Sequence, residues 1–172
     1  MAIDGHESDD WPAARYVAPL LESHGRSLVL YARQLCNDAE DAVQLAFIDL
    51  ATQSAMPQDP AAWLFRAVRH KALTLARSRV RRHRHERTAG EARAGWFQVT
   101  DDDALDGQAV VEALGSLDQI DRETIVAHLW GGLTFRQIGT LLDMSASTAF
   151  RRYEAGLVLL RKRVEQPCAT KS

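Results

Sequence analysis

The sequence predicts an all-α fold: two small helical domains joined by an acidic linker, the second containing a helix-turn-helix. Three observations predict it. Apolar residues recur three and four apart along much of the chain, and no stretch sustains the two-residue alternation of a strand. Glycine and proline are few, 10 and 5 among 172 residues, while a hydrophobic content of 46% is enough to form a core. The formal charge is only −2, but it comes in blocks: −7 over residues 1–60, +8 over 61–93, −7 over 94–123 and +4 over 124–172. Whole-chain charge argues against a nucleic-acid partner. Two basic segments separated by an acidic one argue for it.

Taken in order, Asp10 caps a helix that begins at Trp11 and Pro12, because proline is tolerated in a first turn. Val17, Leu20 and Leu21 give it an apolar side, and Gly25 is expected to break it. A second helix runs from about Arg26 to Cys36, with Leu28, Tyr31, Ala32 and Leu35 inward. Asn37 and Asp38 end it and cap a third, roughly Ala39 to Gln53. The inward stripe of that helix is Ala42, Leu45, Ala46 and Leu50. Its other side carries Glu40, Asp41, Gln44 and Phe47. An aromatic ring beside carboxylates is either a partner surface or core, and the residues alone leave both open.

Ser54–Asp59 (SAMPQD) reads as a loop. Asp59 caps the fourth helix, Ala61 to about His85, with Pro60 in its first position. Leu64, Val68, Ala72 and Leu75 stack inward, while Arg66, Arg69, His70, Arg77, Arg81 and Arg84 gather elsewhere. Trp63 and Phe65 stand at its start. A basic helix opening on aromatics suits single-stranded or melting DNA, since arginine neutralises phosphate and rings stack on unpaired bases. The plainer alternative is a solvated cationic helix with Trp63 buried.

The domains are expected at 1–87 and 105–166, joined by the acidic linker 88–104 and followed by a tail, 167–172. The linker region holds the pair Trp96–Phe97 and the run Asp101–Asp103. That run either solubilises the linker or imitates a nucleic-acid backbone. In the second domain a helix from about Leu105 to Leu114 is broken by Gly115 and Ser116. Asp118 caps the next, Gln119 to Trp130, with Ile125, Val126 and Leu129 as its apolar side. Gly131 and Gly132 end it by accepting a left-handed backbone.

Thr134 and Gln137 then form a capping box, and Ile138, Leu141 and Leu142 give that short helix its apolar stripe. Gly139 allows a close approach. Asp143 and Met144 form the break, and Ser145 caps the last helix. There Ala149, Tyr153, Gly156 or Leu157, Leu160 and Val164 face inward. Ser147, Thr148, Phe150, Arg151 and Glu154 fall on the other side, with Arg152 at the boundary. This is the pattern of a helix-turn-helix, whose second helix can lie in a major groove. Arginine near its start suits guanine or phosphate. A plain helical hairpin with a basic solvated face is the alternative.

Other chemistry has little footing. Cys36 and Cys168 are too far apart for a metal motif or a disulfide framework, which fits a reducing cytoplasm. His70, His83 and His85 lack accompanying ligands, so no metal is expected. No GxxxxGK[ST] loop and no paired nucleophile and base occur, so neither an enzyme nor a cofactor is expected. The acidic start is no signal peptide, and no apolar run is long enough to span a bilayer, so no membrane insertion is expected and the cytoplasm is the expected location.

Read together, the halves resemble the small two-domain sigma factors of bacterial RNA polymerase, the extracytoplasmic-function group. The residues that carry the resemblance are DAEDAVQLAF at Asp38–Phe47, PAAWLFRAVRHKAL at Pro60–Leu73 and LDQIDRETIVAHLWGGLTFRQIGTLLDMSASTAFRRYEAGL at Leu117–Leu157. The first two are similar to region two of that family, the third to region four. The resemblance implies that Asp41, Gln44 and Phe47 dock on the clamp helices of the polymerase β′ subunit, with further contacts to the β subunit. It implies that the loop Ser54–Asp59 and the start of the next helix, with Trp63, capture a flipped base of the −10 element, and that Arg66, Arg69, His70 and Arg77 track the melting duplex. It assigns Ser147, Thr148, Phe150, Arg151 and Arg152 to the −35 element. It sends the acidic linker toward the polymerase cleft, and it implies core RNA polymerase, promoter DNA and an anti-sigma factor as partners. Two departures from the family stand out: Leu45 stands where glutamate is frequent, and STAFRRY at Ser147–Tyr153 replaces a frequent GTVKSRL. The promoter sequence therefore does not carry over. A stand-alone helix-turn-helix regulator and an all-helical protein-binding adaptor are the competing readings.

Overall fold

The computed structural model describes residues 13–86 and 114–165. The linker, the expected helix before Leu114, the first helix's cap at Asp10 and the tail lie outside the described residues. Among those described there are six helices and no strand: α1 Ala13–Arg33, α2 Ala39–Ala51, α3 Pro60–Glu86, α4 Gln119–Leu129, α5 Phe135–Leu142 and α6 Ala146–Glu165.

The first three helices form the first domain. Gly25 does not break α1, contrary to expectation; the helix runs through it for 21 residues. Glycine costs a helix interior about 1 kcal/mol relative to alanine. Packing against α2 and α3 offsets that, because Leu28, Tyr31 and Ala32 of the later turns are fully buried. From the last turn of α1, Arg33 reaches Glu40 in the first turn of α2 at 2.6 Å. That hydrogen bond holds the Glu40 carboxyl below the usual carboxylate range. In α2 the core stripe is Ala39, Ala42, Val43, Ala46, Phe47 and Leu50. Leu45, expected inward, is 38% exposed. The stripe is centred one position away from where the sequence placed it, and Val43 takes the inward place.

The Asp59 carboxylate accepts from the Ala62 amide at 3.0 Å, so the expected cap and the Pro60 start of α3 are both present. Leu64, Phe65, Val68 and Ala72 are fully buried along α3.

In the second domain, Gly132 has φ +67°, the left-handed conformation expected after α4. The capping box at α5 is complete, with Thr134 and Gln137 each bonded to the other's backbone amide. Asp143 ends α5 at φ 56°, and Ser145 caps α6 by accepting from the Thr148 amide at 3.1 Å. Gly139 is needed for the turn itself. A Cβ there would lie 2.6 Å from the Met144 carbonyl oxygen. Leu129, expected inward, is 50% exposed, while Glu123 and Thr124 are fully buried.

The two domains pack directly on one another. A continuous core runs from Leu28, Phe65 and Val68 in the first to Val126, Leu133, Ile138 and Ala149 in the second. A smaller cluster of Leu114, Leu117 and Ile125, backed by Tyr153 and Leu160, belongs to the second domain alone. Helices α1 with α4, and α3 with α5, make the junction.

Candidate nucleic-acid and polymerase interfaces

The basic helix α3 divides its charges. Arg66, His70, Arg77, Arg81 and Arg82 are exposed, and no ion pair engages them among the described residues. Lys71 pairs with Asp49 at 2.7 Å and Arg79 with Asp38 at 3.5 Å, so α2 already neutralises one side. Arg69, expected on the DNA-tracking side, is instead turned inward. Its Nε donates to the Glu123 carboxylate at 2.8 Å, across the domain junction. Burial would lower the Arg69 pKa, but the bond and charge of Glu123 outweigh it and hold the guanidinium above its ordinary value.

Of the two aromatics that open α3, Phe65 is fully buried and cannot stack on a base in this arrangement. It meets Tyr31 edge-on, with ring centroids 5.2 Å apart. Trp63 is half-buried at the mouth of a cleft of about 270 Å³. The cleft is shared: Asp59, Trp63 and Arg66 line it from the first domain, Arg136, Gln137 and Thr140 from the second.

The second helix of the helix-turn-helix, α6, presents its first turns outward. Ser147, Phe150 and Arg151 are exposed, and Thr148 is half-buried with its hydroxyl 2.8 Å from the Ser145 hydroxyl. Phe150 is 44% exposed yet held from behind by Phe135, centroids 5.2 Å apart and nearly perpendicular. Phe135 in turn stacks on His128 at 4.4 Å, and Tyr153 closes the group. An exposed aromatic with a braced ring can offer an apolar surface to a base edge at low entropic cost. Arg152, placed at the boundary by sequence, donates to Asp121 at 2.7 Å and lies 3.5 Å from Asp118. The Asp121 hydrogen bond raises its pKa, and its guanidinium is engaged within the domain rather than turned to a groove.

On α2, Asp41 and Gln44 are exposed, but Phe47 is 7% exposed and packs in the core. Phe47 is therefore no surface contact; the apolar surface beside Asp41 and Gln44 is Leu45 and Ile48, the latter 52% exposed. Sequence reasoning also passed over Glu123. The signal was present: it lies three and four residues before Val126 and Ala127 on the buried side of α4. Arg136 and Gln137 were missed as cleft residues because only the domain packing brings them to Trp63.

The described residues contain no group of three or more His, Cys, Asp or Glu placed to hold a metal ion. Cys36 is buried, and burial pushes its thiol pKa up, which suppresses the reactive thiolate. No helix among the described residues is long and apolar enough to cross a membrane.

Residues 20–82 match the family model for sigma-70 region 2. No curated protein matches the sequence. Among solved structures, the chain is similar to the sigma factor RpoE of Bartonella quintana, crystallised with the anti-sigma factor NepR. The TM-score is 0.70 at 20% identity, over 88% of this chain and 98% of that one. It is also similar to CnrH in complex with the cytosolic domain of CnrY, with a TM-score of 0.59 at 24% identity over 88% and 89% of the two chains. The chain's two helical domains thus share the fold of these solved structures, and the region 2 match falls on the first of them, α1 to α3.

Proposed function

We propose that the protein is a non-enzymatic initiation factor that binds core RNA polymerase and directs it to particular promoters. The observation that carries this reading is a region 2 domain whose basic helix α3 is joined, in one chain, to a helix-turn-helix with an exposed recognition face. In this reading residues 1–87 dock on polymerase and handle the −10 element, and residues 105–166 read the −35 element as duplex. Asp41 and Gln44, with the apolar Leu45 and Ile48 beside them, form the docking face on α2. Arg66, His70 and Arg77 follow the phosphates of the melting strand, and Trp63 meets unstacked bases. Unstacking costs a few kcal/mol for each flipped base, which polymerase contacts help to offset. Ser147, Phe150 and Arg151 select bases at the −35 element, and Thr148 positions the first turn.

An anti-sigma factor is the proposed inhibitor. The two similar solved proteins were each captured with a partner, NepR and the cytosolic domain of CnrY, which supports a protein partner here.

The test is run-off transcription with purified core polymerase and a promoter library. Specific transcripts that require both the protein and the core enzyme are expected. Tight duplex binding by the protein alone, with no effect on initiation, would instead make it a stand-alone regulator. The absence of salt-dependent DNA binding in every condition would make it an adaptor.

A further inference from the structure

The junction between the domains is built around one carboxylate. Glu123 on α4 is fully buried. It accepts from the Tyr31 hydroxyl of α1 at 2.7 Å, from Arg69 Nε of α3 at 2.8 Å and from Gln119 Nε2 of its own helix at 3.0 Å. Two of its three donors thus come from the other domain. Around this polar centre the fit is close. A Cβ on Gly131 would come within 2.5 Å of the Phe65 ring, and Phe65 packs against Tyr31. At the far edge the Gln137 amide donates to Asp59, the residue that caps α3.

We propose that Glu123 is an intramolecular latch that keeps the two DNA-binding domains closed on each other and withholds Arg69 and Trp63 from DNA. The proposal rests on the promoter-binding reading and names a regulation of that same surface. Closed, α5 stands against the start of α3, and Arg136 and Gln137 line the same cleft as Trp63, which narrows the approach to its ring. Closed, the Arg69 guanidinium spends its charge on Glu123.

The chemistry suits a reversible junction. A buried ion pair contributes little net stability, because both partners regain water when they separate, but it specifies one geometry while it holds. A wholly apolar seam would expose only greasy surface on opening. Here opening delivers a cation to the face where phosphates bind. The apparent DNA affinity is then the open form's affinity multiplied by the fraction of molecules that are open, and whatever favours the open form restores it.

The experiment uses the full-length protein without polymerase. Small-angle scattering and far-ultraviolet circular dichroism are recorded for wild type, Glu123→Gln and Tyr31→Phe. Wild type should be compact. Glu123→Gln removes the buried anion but keeps the shape, and should raise the radius of gyration with helix content unchanged. Tyr31→Phe removes one donor and keeps the ring, and should expand the chain less. Binding of Glu123→Gln to a duplex with an open −10 segment should tighten several-fold, with a salt slope steeper by roughly one for the freed arginine.

An extended wild-type profile overturns the latch, and so does a Glu123→Gln profile as compact as wild type. Should Glu123→Gln lose helix content, Tyr31→Phe decides alone, and its failure to expand overturns the idea. Scattering needs neither promoter nor polymerase, so this failure is distinct from a failure to support transcription.

Discussion

Arg151 and Arg152 are neighbours with opposite fates. Arg151 is exposed on the first turns of α6, while Arg152 is spent on Asp121 and Asp118. Arg151→Ala should therefore relax promoter choice by about 1–3 kcal/mol at one base position while leaving polymerase affinity intact. Competition between promoter variants in run-off assays measures it, and a loss of polymerase binding instead would misplace α6. Arg152→Ala should leave base choice alone and cost the fold about 0.2–1 kcal/mol, the range for partly exposed pairs. Tyr31 gives a different residue-scale prediction. Burial, and then the charge and hydrogen bond of Glu123, raise its phenol pKa well above the ordinary value. The stability it contributes is fully present below the unfolded tyrosine pKa, about 10, and is lost as pH rises above that toward the folded value. In an alkaline titration followed by tyrosinate absorbance, one of the three tyrosines should ionise only together with the unfolding seen by circular dichroism.

The helix-turn-helix depends on the spacing between α5 and the turn that follows. Gly139→Ala would gain about 1 kcal/mol in helix propensity. It would also set a Cβ 2.6 Å from the Met144 carbonyl oxygen, and backbone cannot step aside as a flexible side chain can. Overpacking of this kind costs about 1–3 kcal/mol. The expected result is a lower thermal midpoint by circular dichroism. Gly115→Ala, where a new Cβ meets nothing within 4 Å, should cause no such loss and serves as the comparison. On α2 the relevant unit is the outward face. Asp41→Ala with Gln44→Ala should weaken binding to core polymerase at least tenfold and leave binding of the isolated protein to duplex DNA unchanged. An unaltered affinity in a pull-down titration would remove the docking face from α2.

At the scale of the molecule, the two domains share one core yet keep their outer faces clear. Ser147, Phe150 and Arg151 are exposed, as are His70 and Arg77, whereas Trp63 and Arg66 line the cleft between the domains. The exposed cations lie on surfaces that open solvent screens, so any DNA affinity of the free protein should fall steeply with salt. A titration across salt concentrations should give a slope set by few phosphate contacts for the closed wild type and a steeper one once polymerase is present.

Much of this molecule was legible in its amino-acid order. The all-helical class, the Asp59 cap with Pro60, the Thr134–Gln137 capping box, the Gly132 stop and the Ser145 cap are local events. Each depends on residues within a few positions of one another, so local chemistry is enough to specify them. The exposed start of α6 followed for the same reason, since helical period alone separates its two faces. The fates of Phe47, Arg69 and Arg152 and the unbroken passage of α1 through Gly25 were decided only by tertiary packing. In each case the winning partner comes from a distant part of the chain or from another helix's face. Helical period says which residues share a side, but burial and charge pairing depend on what another element brings to that side.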